Sequence, residues 1–397
     1  MTATRSAPPP TNTNNPTFTP GVFAPSSQFI NRCQVVRTGV DSEGNPFPDT
    51  QGSTLIENFF LRSWTHETYL FNNEVTDQNP GSFSDPVSYF NVLKANATTA
   101  SGKPKDQFHF SELTADFLKE QDSAPSATYG ASFAVISATP PRDVRIEYTE
   151  PGSPAAQVIS SQPNLIRGDK ILKVDGVDLV NANTQTEVDM LNAGLFPATA
   201  GETHTFEVQD PGAASSRTIT MTSANLAFSA VNRTSIINTA TGDVGYILLN
   251  TFNTFASEKE ISDAITAMKN AGVSDLIIDL RYNGGGFLAV ASELSFEVAG
   301  SAQTSGKIFE ALRFNADAGN TNPVTGGANT PTPFFSRAQG FSLPAGTALN
   351  SLNLPRVFIL STGGTCSASE AVINGLRGIG VAVDLIGSTT CGKPYGF

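Results

Sequence analysis

The chain has 397 residues, of which 39% are hydrophobic and 15% charged, and its formal net charge is −12. This length and composition can bury more than one sizeable core, so we expect a globular protein of several domains. The acidic residues are spread along the chain, which argues against nucleic acid as a partner. Three histidines and three cysteines without ligand spacing argue against a metal site, and we expect no cofactor.

Residues 1–30 are predicted to form a disordered linker, because Pro, Thr and Asn dominate it and leave little apolar surface to bury. No stretch reaches the roughly 20 apolar residues that span a bilayer, and the first 20 residues lack a signal-peptide pattern. A stalk of this kind suits a membrane tether. We therefore expect a missing N-terminal anchor and a location in the cell envelope, periplasmic or extracellular, with a disordered cytoplasmic tail as the alternative.

Residues 31–121 are predicted to form an N-terminal helical domain. An apolar face with helical spacing is expected within 55–75, formed by Phe60, Leu61, Trp64, Thr68 and Phe71. The next segment, 122–227, is predicted to be rich in strands, with a hairpin turn at Asp175-Gly176.

From residue 228 onward, apolar strand and helix patterns alternate, which predicts an α/β layer around parallel strands. Ser257 and Glu260 fit a capping box, and Gly272 is expected to end the helix that follows them. Residues 315–347 are rich in Gly, Asn, Thr and Pro, and we interpret them as an insertion loop near the cleft.

A short buried strand is predicted at 356–361, and a helix is predicted to begin near Ser369. Ser367 therefore lies on a tight turn from strand to helix, with its hydroxyl at a helix N-terminus. Backbone N–H groups there have no acceptor within the helix and can face a developing oxyanion. Ala368 is the natural donor.

A second strand is predicted at 381–386, and the turn after it carries Lys393. A parallel crossover would bring Lys393 to the same sheet edge as Ser367. For the amine to accept a proton near neutral pH, its pKa must fall by about 3 units from about 10.4, which burial can supply. The alternative interpretation is a structural glycine turn next to an ordinary solvated lysine.

A third apolar strand, at 275–281, runs into Tyr282-Asn283-Gly284-Gly285-Gly286. Consecutive glycines after a buried strand let the backbone approach a ligand closely. Gly285 could supply a second oxyanion donor.

The string from Leu276 to Gly286, the string Ser367-Ala368-Ser369-Glu370 and the pair Gly392-Lys393 together resemble the C-terminal processing peptidases, or tail-specific proteases. These serine peptidases carry a PDZ domain before a catalytic domain that resembles crotonase and the Clp protease. The resemblance implies a multidomain α+β protein with a helical N-terminal cap, a β-rich PDZ domain at 122–227 and an α/β peptidase domain at 228–397.

The same resemblance implies roles for the site residues. Ser367 would be the nucleophile, Lys393 the general base and later the general acid, and Ala368 with Gly285 the oxyanion hole. Glu370 matches a family position that supports the site. The implied activity is that of a serine endopeptidase, which captures polypeptide C-termini and cleaves through an acyl-enzyme. A non-catalytic peptide- or ligand-binding protein on the same fold is the alternative.

The strings 152–156 and 165–176 resemble a PDZ domain. Such domains add an extended chain end to a sheet edge and hold its carboxylate with N–H groups. By order along the chain, the candidate for the loop that binds the peptide's terminal carboxylate (the carboxylate loop) consists of Tyr129, Gly130, Ala131, Ser132 and Phe133. The alternative is that this segment is only the start of a strand.

Two further expectations concern the end of the chain. The family usually has an amide side chain four residues after the lysine, whereas this chain has Phe397. Members of the family also continue for several more strands beyond this point, so the resemblance implies a peptidase domain that is incomplete at its C-terminus. Cys366 and Cys391 flank the two proposed catalytic residues, and they form either a disulfide, which suits an oxidising compartment, or two small buried thiols. Cys33 is left unpaired.

Overall fold

The computed structural model describes residues 15–40 and 44–393. The chain divides into two compact units, the first formed by Met1–Leu113 and Leu312–Thr330 and the second by Thr114–Ala311 and Pro331–Phe397. This division differs from the predicted domains, because the boundary expected at residue 121 falls at Leu113 and the one expected at residue 227 lies inside the second unit. Among the described residues, no helix combines the length and the apolar character that crossing a membrane requires.

The described residues of the first unit form one long helix and several short elements. Its strands and α-helices are β1 (Arg32–Cys33), β2 (Thr50–Gln51), α1 (Thr54–Thr68) and α2 (Pro86–Phe90). Strands β1 and β2 pair in parallel, and the side chain of Ser53 caps α1 by accepting from the N–H of Ile56. The predicted helical domain is therefore helical mainly over α1.

The predicted disorder of residues 1–30 is wrong for residues 15–30; residues 1–14 lie outside the described part of the chain. Phe29 is 6% exposed and packs with Ile56 and Phe59 of α1. The backbone N–H of Ser26 donates to the Glu67 carboxylate at 2.7 Å. Phe18, Phe23 and Phe29 supply apolar surface to bury, although Pro and Thr dominate the composition of this segment.

The buried face of α1 also differs from the predicted one. The structure buries Ile56, Phe59 and Arg62, whereas Phe60 and Trp64 are only partly buried. Arg62 is 3% exposed because it forms an ion pair with Asp77 at 2.6 Å and lies over the rings of Phe18 and Phe23.

Residues 312–330, which include the first part of the predicted insertion loop (315–347), belong to the first unit. The side chain of Asn315 donates to the backbone oxygens of His66, Glu67 and Tyr69, at 3.1 to 3.2 Å. These bonds to the end of α1 explain why this segment is grouped with residues so far away in the sequence.

The second unit begins with a β-rich segment. Its elements in chain order are α3 (Thr114–Gln121), β3 (Ser126–Thr128), β4 (Ala131–Ser137), β5 (Asp143–Thr149), β6 (Val158–Ile159), β7 (Gln162–Pro163), β8 (Lys170–Val174), β9 (Val177–Asp178), α4 (Gln185–Leu195), β10 (Thr203–Gln209), β11 (Arg217–Thr222) and β12 (Ala224–Leu226). A sheet runs in the order β11-β10-β8-β5-β4, with β9 pairing to β8, so β4 is an edge strand. Tyr129, Ile171 and Phe206 lie in its core.

The remaining elements form an α/β layer. They are β13 (Val231–Thr239), β14 (Gly242–Leu249), α5 (Ala256–Ala271), β15 (Asp275–Asp279), α6 (Leu288–Ala299), α7 (Ser301–Thr304), β16 (Ile308–Glu310), β17 (Thr332–Pro333), β18 (Arg356–Ser361), α8 (Ala368–Gly378) and β19 (Ala382–Gly387). The central sheet has the order β13-β14-β15-β18-β19, and all of its pairs except β13-β14 are parallel. Apolar residues of these strands and of α5, α6 and α8 form one core.

Among the described residues, three glutamate side chains are buried in this layer: Glu258, Glu293 and Glu297. Glu258 accepts four backbone N–H bonds from the segment 339–343, and although burial opposes ionisation, these bonds hold its pKa below the usual range. Burial, reinforced by the charge of Glu258, raises the pKa of Glu293 to about 8. Glu293 is therefore protonated at neutral pH.

The pKa of Glu293 predicts how stability depends on pH. The unfolded carboxyl group releases its proton near 4.5, but the folded one keeps it up to about 8. Stability should therefore fall as pH rises through this window, by up to about 1.4 kcal/mol per pH unit from this group. Glu293→Gln cannot ionise, so its thermal midpoint, relative to that of the wild type, should rise between pH 5 and pH 8. Glu112→Gln, at an exposed position, is the control, and an equal pH response of all three proteins would contradict the assignment.

Candidate active site

Three loops meet at one edge of the parallel sheet. Strands β15, β18 and β19 are adjacent and parallel, with Asp279 opposite Leu360 and Ser361 opposite Gly387. The loops that follow these strands therefore start at the same edge. They are a glycine loop (280–287), a nucleophile loop (362–367) and a lysine loop (388–393).

Ser367 lies on the turn between the nucleophile loop and α8. Its backbone has φ 54° and ψ −117°, a strained conformation for a residue with a side chain. Serine in a sharp turn from strand to helix presents its hydroxyl outward. Ala368, the first residue of α8, is fully buried, and among the described residues its N–H has no acceptor. This donor next to the serine is the one predicted from the sequence.

Gly285 lies against the serine turn. Its φ is 109°, and a Cβ atom placed on it would be 2.7 Å from the Cβ of Ser367 and 2.9 Å from the N of Ala368. A residue with a side chain would therefore displace the nucleophile. The N–H of Gly285 donates to the Asn283 side chain at 2.9 Å, so in this conformation it is not the open oxyanion donor that the sequence predicted.

Asn283 connects the glycine loop to the nucleophile loop, a role that the sequence analysis missed. It is fully buried, its side chain also donates to the backbone O of Leu249, and its own backbone O accepts from the N–H of Cys366 and the hydroxyl of Ser369. The sequence signal for Asn283 was its position between a buried strand and three glycines. Its hydrogen-bond partners could not be predicted, because they come from distant segments.

The carboxylate of Glu370 connects the nucleophile loop to the lysine loop. Its Oε2 atom accepts from the N–H of Ser367 at 3.0 Å and from the N–H of Lys393 at 2.9 Å. Its Oε1 atom accepts from the N–H of Gly392 at 2.8 Å and from the hydroxyl of Thr390 at 2.7 Å. Because Ser367 and Lys393 share one acceptor atom, their backbone nitrogens cannot be farther apart than the sum of those two distances.

Lys393 is half-buried at the end of the lysine loop. Burial lowers the pKa of its amine, and the nearby negative charge of Glu370 partly opposes that effect. This shift is in the direction that a general base requires. The family's amide position, Phe397, lies outside the described residues.

A disulfide joins Cys366 to Cys391, which decides between the two alternatives left open by the sequence. The Cα atoms of the two residues are 5.3 Å apart. Next to this bond, the N–H of Cys391 donates to the backbone O of Thr365 at 3.0 Å. Cys33 is a free thiol.

The predicted carboxylate loop lies at the start of the edge strand β4. Tyr129 is 1% exposed and bonds the backbone O of Gly194, while the N–H of Gly130 donates to Thr128. Ala131, Ser132 and Phe133 belong to β4, where the ring of Phe133 meets the edge of Phe196. An edge strand flanked by aromatic side chains can accept an added strand.

The β-rich segment also contacts the glycine loop. Arg167 bonds the hydroxyl of Tyr282, and the rings of Tyr148 and Tyr282 are 5.3 Å apart. Tyr282 directly precedes Asn283, so the two parts of the second unit meet beside the candidate site.

A candidate hydrolase site is defined by a serine on a strained turn, a half-buried lysine and a close glycine loop on a parallel sheet. Residues 243–396 match the model of Peptidase family S41. A carboxyl-terminal-processing protease from Picosynechococcus sp. is 29% identical over 146 residues, which are 36% of this chain and 32% of the relative. The chain thus matches about a third of that curated protein. Residues 243–396 are thus similar to the S41 peptidases, and the predicted resemblance to the C-terminal processing peptidases is confirmed.

Solved structures show the fold. A putative S41 protease from Bacteroides fragilis NCTC 9343 has a TM-score of 0.59 and 23% identity, over 84% of this chain and 79% of that one. The photosystem II D1 C-terminal processing protease has a TM-score of 0.41 and 19% identity, over 84% and 76%. The Bacteroides structure shares the mixed α/β fold.

The bonds of Glu370 predict a loss of stability when its charge is removed. In Glu370→Gln, an amide N–H₂ would face backbone N–H groups that Oε2 accepts from in the wild type. We expect the variant to be destabilised by about 2 to 3 kcal/mol, measured by urea denaturation of the second unit. Glu187→Gln, which changes the capping carboxylate of the exposed helix start at α4, is the control and should cost about 1 kcal/mol or less. Equal losses in the two variants would contradict the connecting role of Glu370.

Proposed function

We propose that this protein is a serine endopeptidase with Ser367 as nucleophile and Lys393 as general base. The observation that carries the proposal is the Glu370 carboxylate, which holds the backbones of both residues on one acceptor atom. The match of residues 243–396 to Peptidase family S41 supports the same chemistry.

In the proposed reaction, neutral Lys393 accepts the hydroxyl proton of Ser367 while Oγ attacks the peptide carbonyl carbon. The N–H of Ala368 donates to the oxyanion that forms, and the N–H of Gly285 adds a second bond when it leaves the Asn283 side chain. The Lys393 ammonium then gives its proton to the leaving amine, which leaves an acyl-enzyme on Ser367. Water activated by Lys393 hydrolyses that ester.

Polypeptides held by their C-termini are the proposed substrates. An extended chain end would add to the outer edge of β4, with the Tyr129–Phe133 segment at its carboxylate, as in the PDZ mode of binding. Phe133 and Phe196 offer apolar contacts to the last side chains of the substrate. The contacts of Arg167 and Tyr148 with Tyr282, which join the β-rich segment to the glycine loop, support this proposal.

We further propose a location in the cell envelope or outside the cell. The disulfide supports this, because such bonds persist mainly in oxidising compartments. A membrane tether through an N-terminal anchor belongs to the same proposal.

The dyad predicts that two separate single changes abolish cleavage. Ser367→Ala and Lys393→Ala should each lower kcat/KM on an unstructured protein such as casein by at least about 10³-fold, because the nucleophile and its base act as one unit. The measurement is the initial rate of appearance of new amino termini. Lys307→Ala removes an exposed lysine of the same unit and should keep the wild-type rate. Wild-type rates in either dyad variant would refute the assignment.

Recognition of the C-terminus predicts a difference between two forms of one peptide. A peptide substrate with a free C-terminal carboxylate should have a kcat/KM about tenfold higher than that of its C-terminal amide. Phe133→Ala should weaken cleavage of the free acid, whereas Val158→Ala, at a 62% exposed apolar position in the same segment, should not. Equal cleavage of acid and amide would argue against the proposed capture while leaving the dyad untouched.

A further inference from the structure

The disulfide lies between the two proposed catalytic residues. Cys366 directly precedes Ser367, and Cys391 is separated from Lys393 by Gly392 alone. The bond joins residues 25 positions apart and thus ties the start of α8 to the end of the lysine loop.

Besides the disulfide, hydrogen bonds within the described part of the chain restrain the lysine loop. It follows the edge strand β19, and its residues Ser388 and Thr389 are exposed. At its start, the N–H of Ser388 donates to Ser361 and the hydroxyl of Ser361 donates back to the backbone O of Ser388. Near its end, it is held by the bonds to Glu370 and by the bond from Cys391 to Thr365.

The acceptors of those hydrogen bonds near the end of the loop lie close to Cys366 in the sequence. Thr365 adjoins Cys366, and Glu370 lies within the first turn of α8 that Cys366 precedes. The disulfide therefore fixes the separation of the two segments that the Glu370 carboxylate must span. Without it, the same carboxylate would have to order an exposed loop by hydrogen bonds alone, which are worth only about 1 kcal/mol each.

We propose that the Cys366–Cys391 disulfide is a positioning element of the Ser367–Lys393 pair, so that the peptidase works at full rate only when this bond is oxidised. The inference rests on the proposed function. Small misplacements of a catalytic group can cost about 10²-fold in rate, so even a partial release of the lysine loop would be measurable.

Both cysteines are half-buried, which leaves the bond within reach of a small dithiol. One thiolate of the dithiol attacks a sulfur of the pair, the S–S bond breaks, and a mixed disulfide forms. The second thiolate then displaces the protein sulfur. Two electrons pass to the cysteine pair, which ends as two thiols, and the reductant ends as a cyclic disulfide.

The experiment compares the full chain before and after treatment with dithiothreitol. EDTA is present throughout, because the sulfur atoms of Cys366 and Cys391 and a carboxylate oxygen of Glu370 lie within 4.8 Å of one another and the reduced thiols could capture a metal ion. Thiol titration should find one free thiol before reduction, that of Cys33, and three afterwards.

We expect reduction to lower kcat about tenfold or more with little change in KM, and reoxidation to restore it. The double variant Cys366→Ser/Cys391→Ser should show the reduced rate at once and no response to dithiothreitol. Cys33→Ser is the matched control and should respond like the wild type. An unchanged kcat in chains that titrate with three thiols would overturn the proposal.

A measurement independent of activity separates this inference from the proposed function. Hydrogen exchange of the segment 388–393 should accelerate at least about tenfold on reduction, while the core strand β15 stays protected. If the oxidised chain does not cleave at all, the proposed function fails, and exchange alone decides the positioning role. Exchange that is the same in oxidised and reduced chains would overturn that role.

Discussion

The carboxylate of Glu370 is the interaction on which the candidate site depends. Ser367 and Lys393 come from two different loops, and neither loop has regular secondary structure that would fix its position relative to the other. One side chain accepts four hydrogen bonds from these loops and brings their backbones onto a common centre. Bonds to a charged acceptor are stronger than neutral ones, which suits a carboxylate to this task.

The order of the strands makes this arrangement possible. Because β15, β18 and β19 are parallel neighbours, three loops that are far apart in sequence leave the sheet at one edge. The glycine loop contributes close backbone approach, the nucleophile loop a strained serine, and the lysine loop a half-buried amine. Arg167 of the β-rich segment bonds Tyr282 of the glycine loop, so the segment proposed to capture the substrate contacts the candidate site.

Local sequence signals correctly predicted the features that depend on residues close together in the chain. Apolar runs ended by glycine correctly marked the strands at the site and the turn at Ser367, and Gly272 ends α5 in the left-handed conformation as expected. Predictions failed where distant partners decide. Ser257 and Glu260 do not form the expected capping box, because the Ser257 hydroxyl bonds the backbone O of Thr251 and Glu260 accepts from the N–H of Val231. The buried Arg62 and the linking role of Asn283 likewise depend on residues that no local pattern reveals.

Amide hydrogen exchange at single-residue resolution tests the connecting role of Glu370 most directly. In the wild type, the N–H groups of Ser367, Gly392 and Lys393 should exchange slowly, since all three donate to this carboxylate. In Glu370→Ala, the account predicts that these three amides lose protection together, while the amides of β15 keep theirs. Unchanged protection of the three amides in that variant would contradict it.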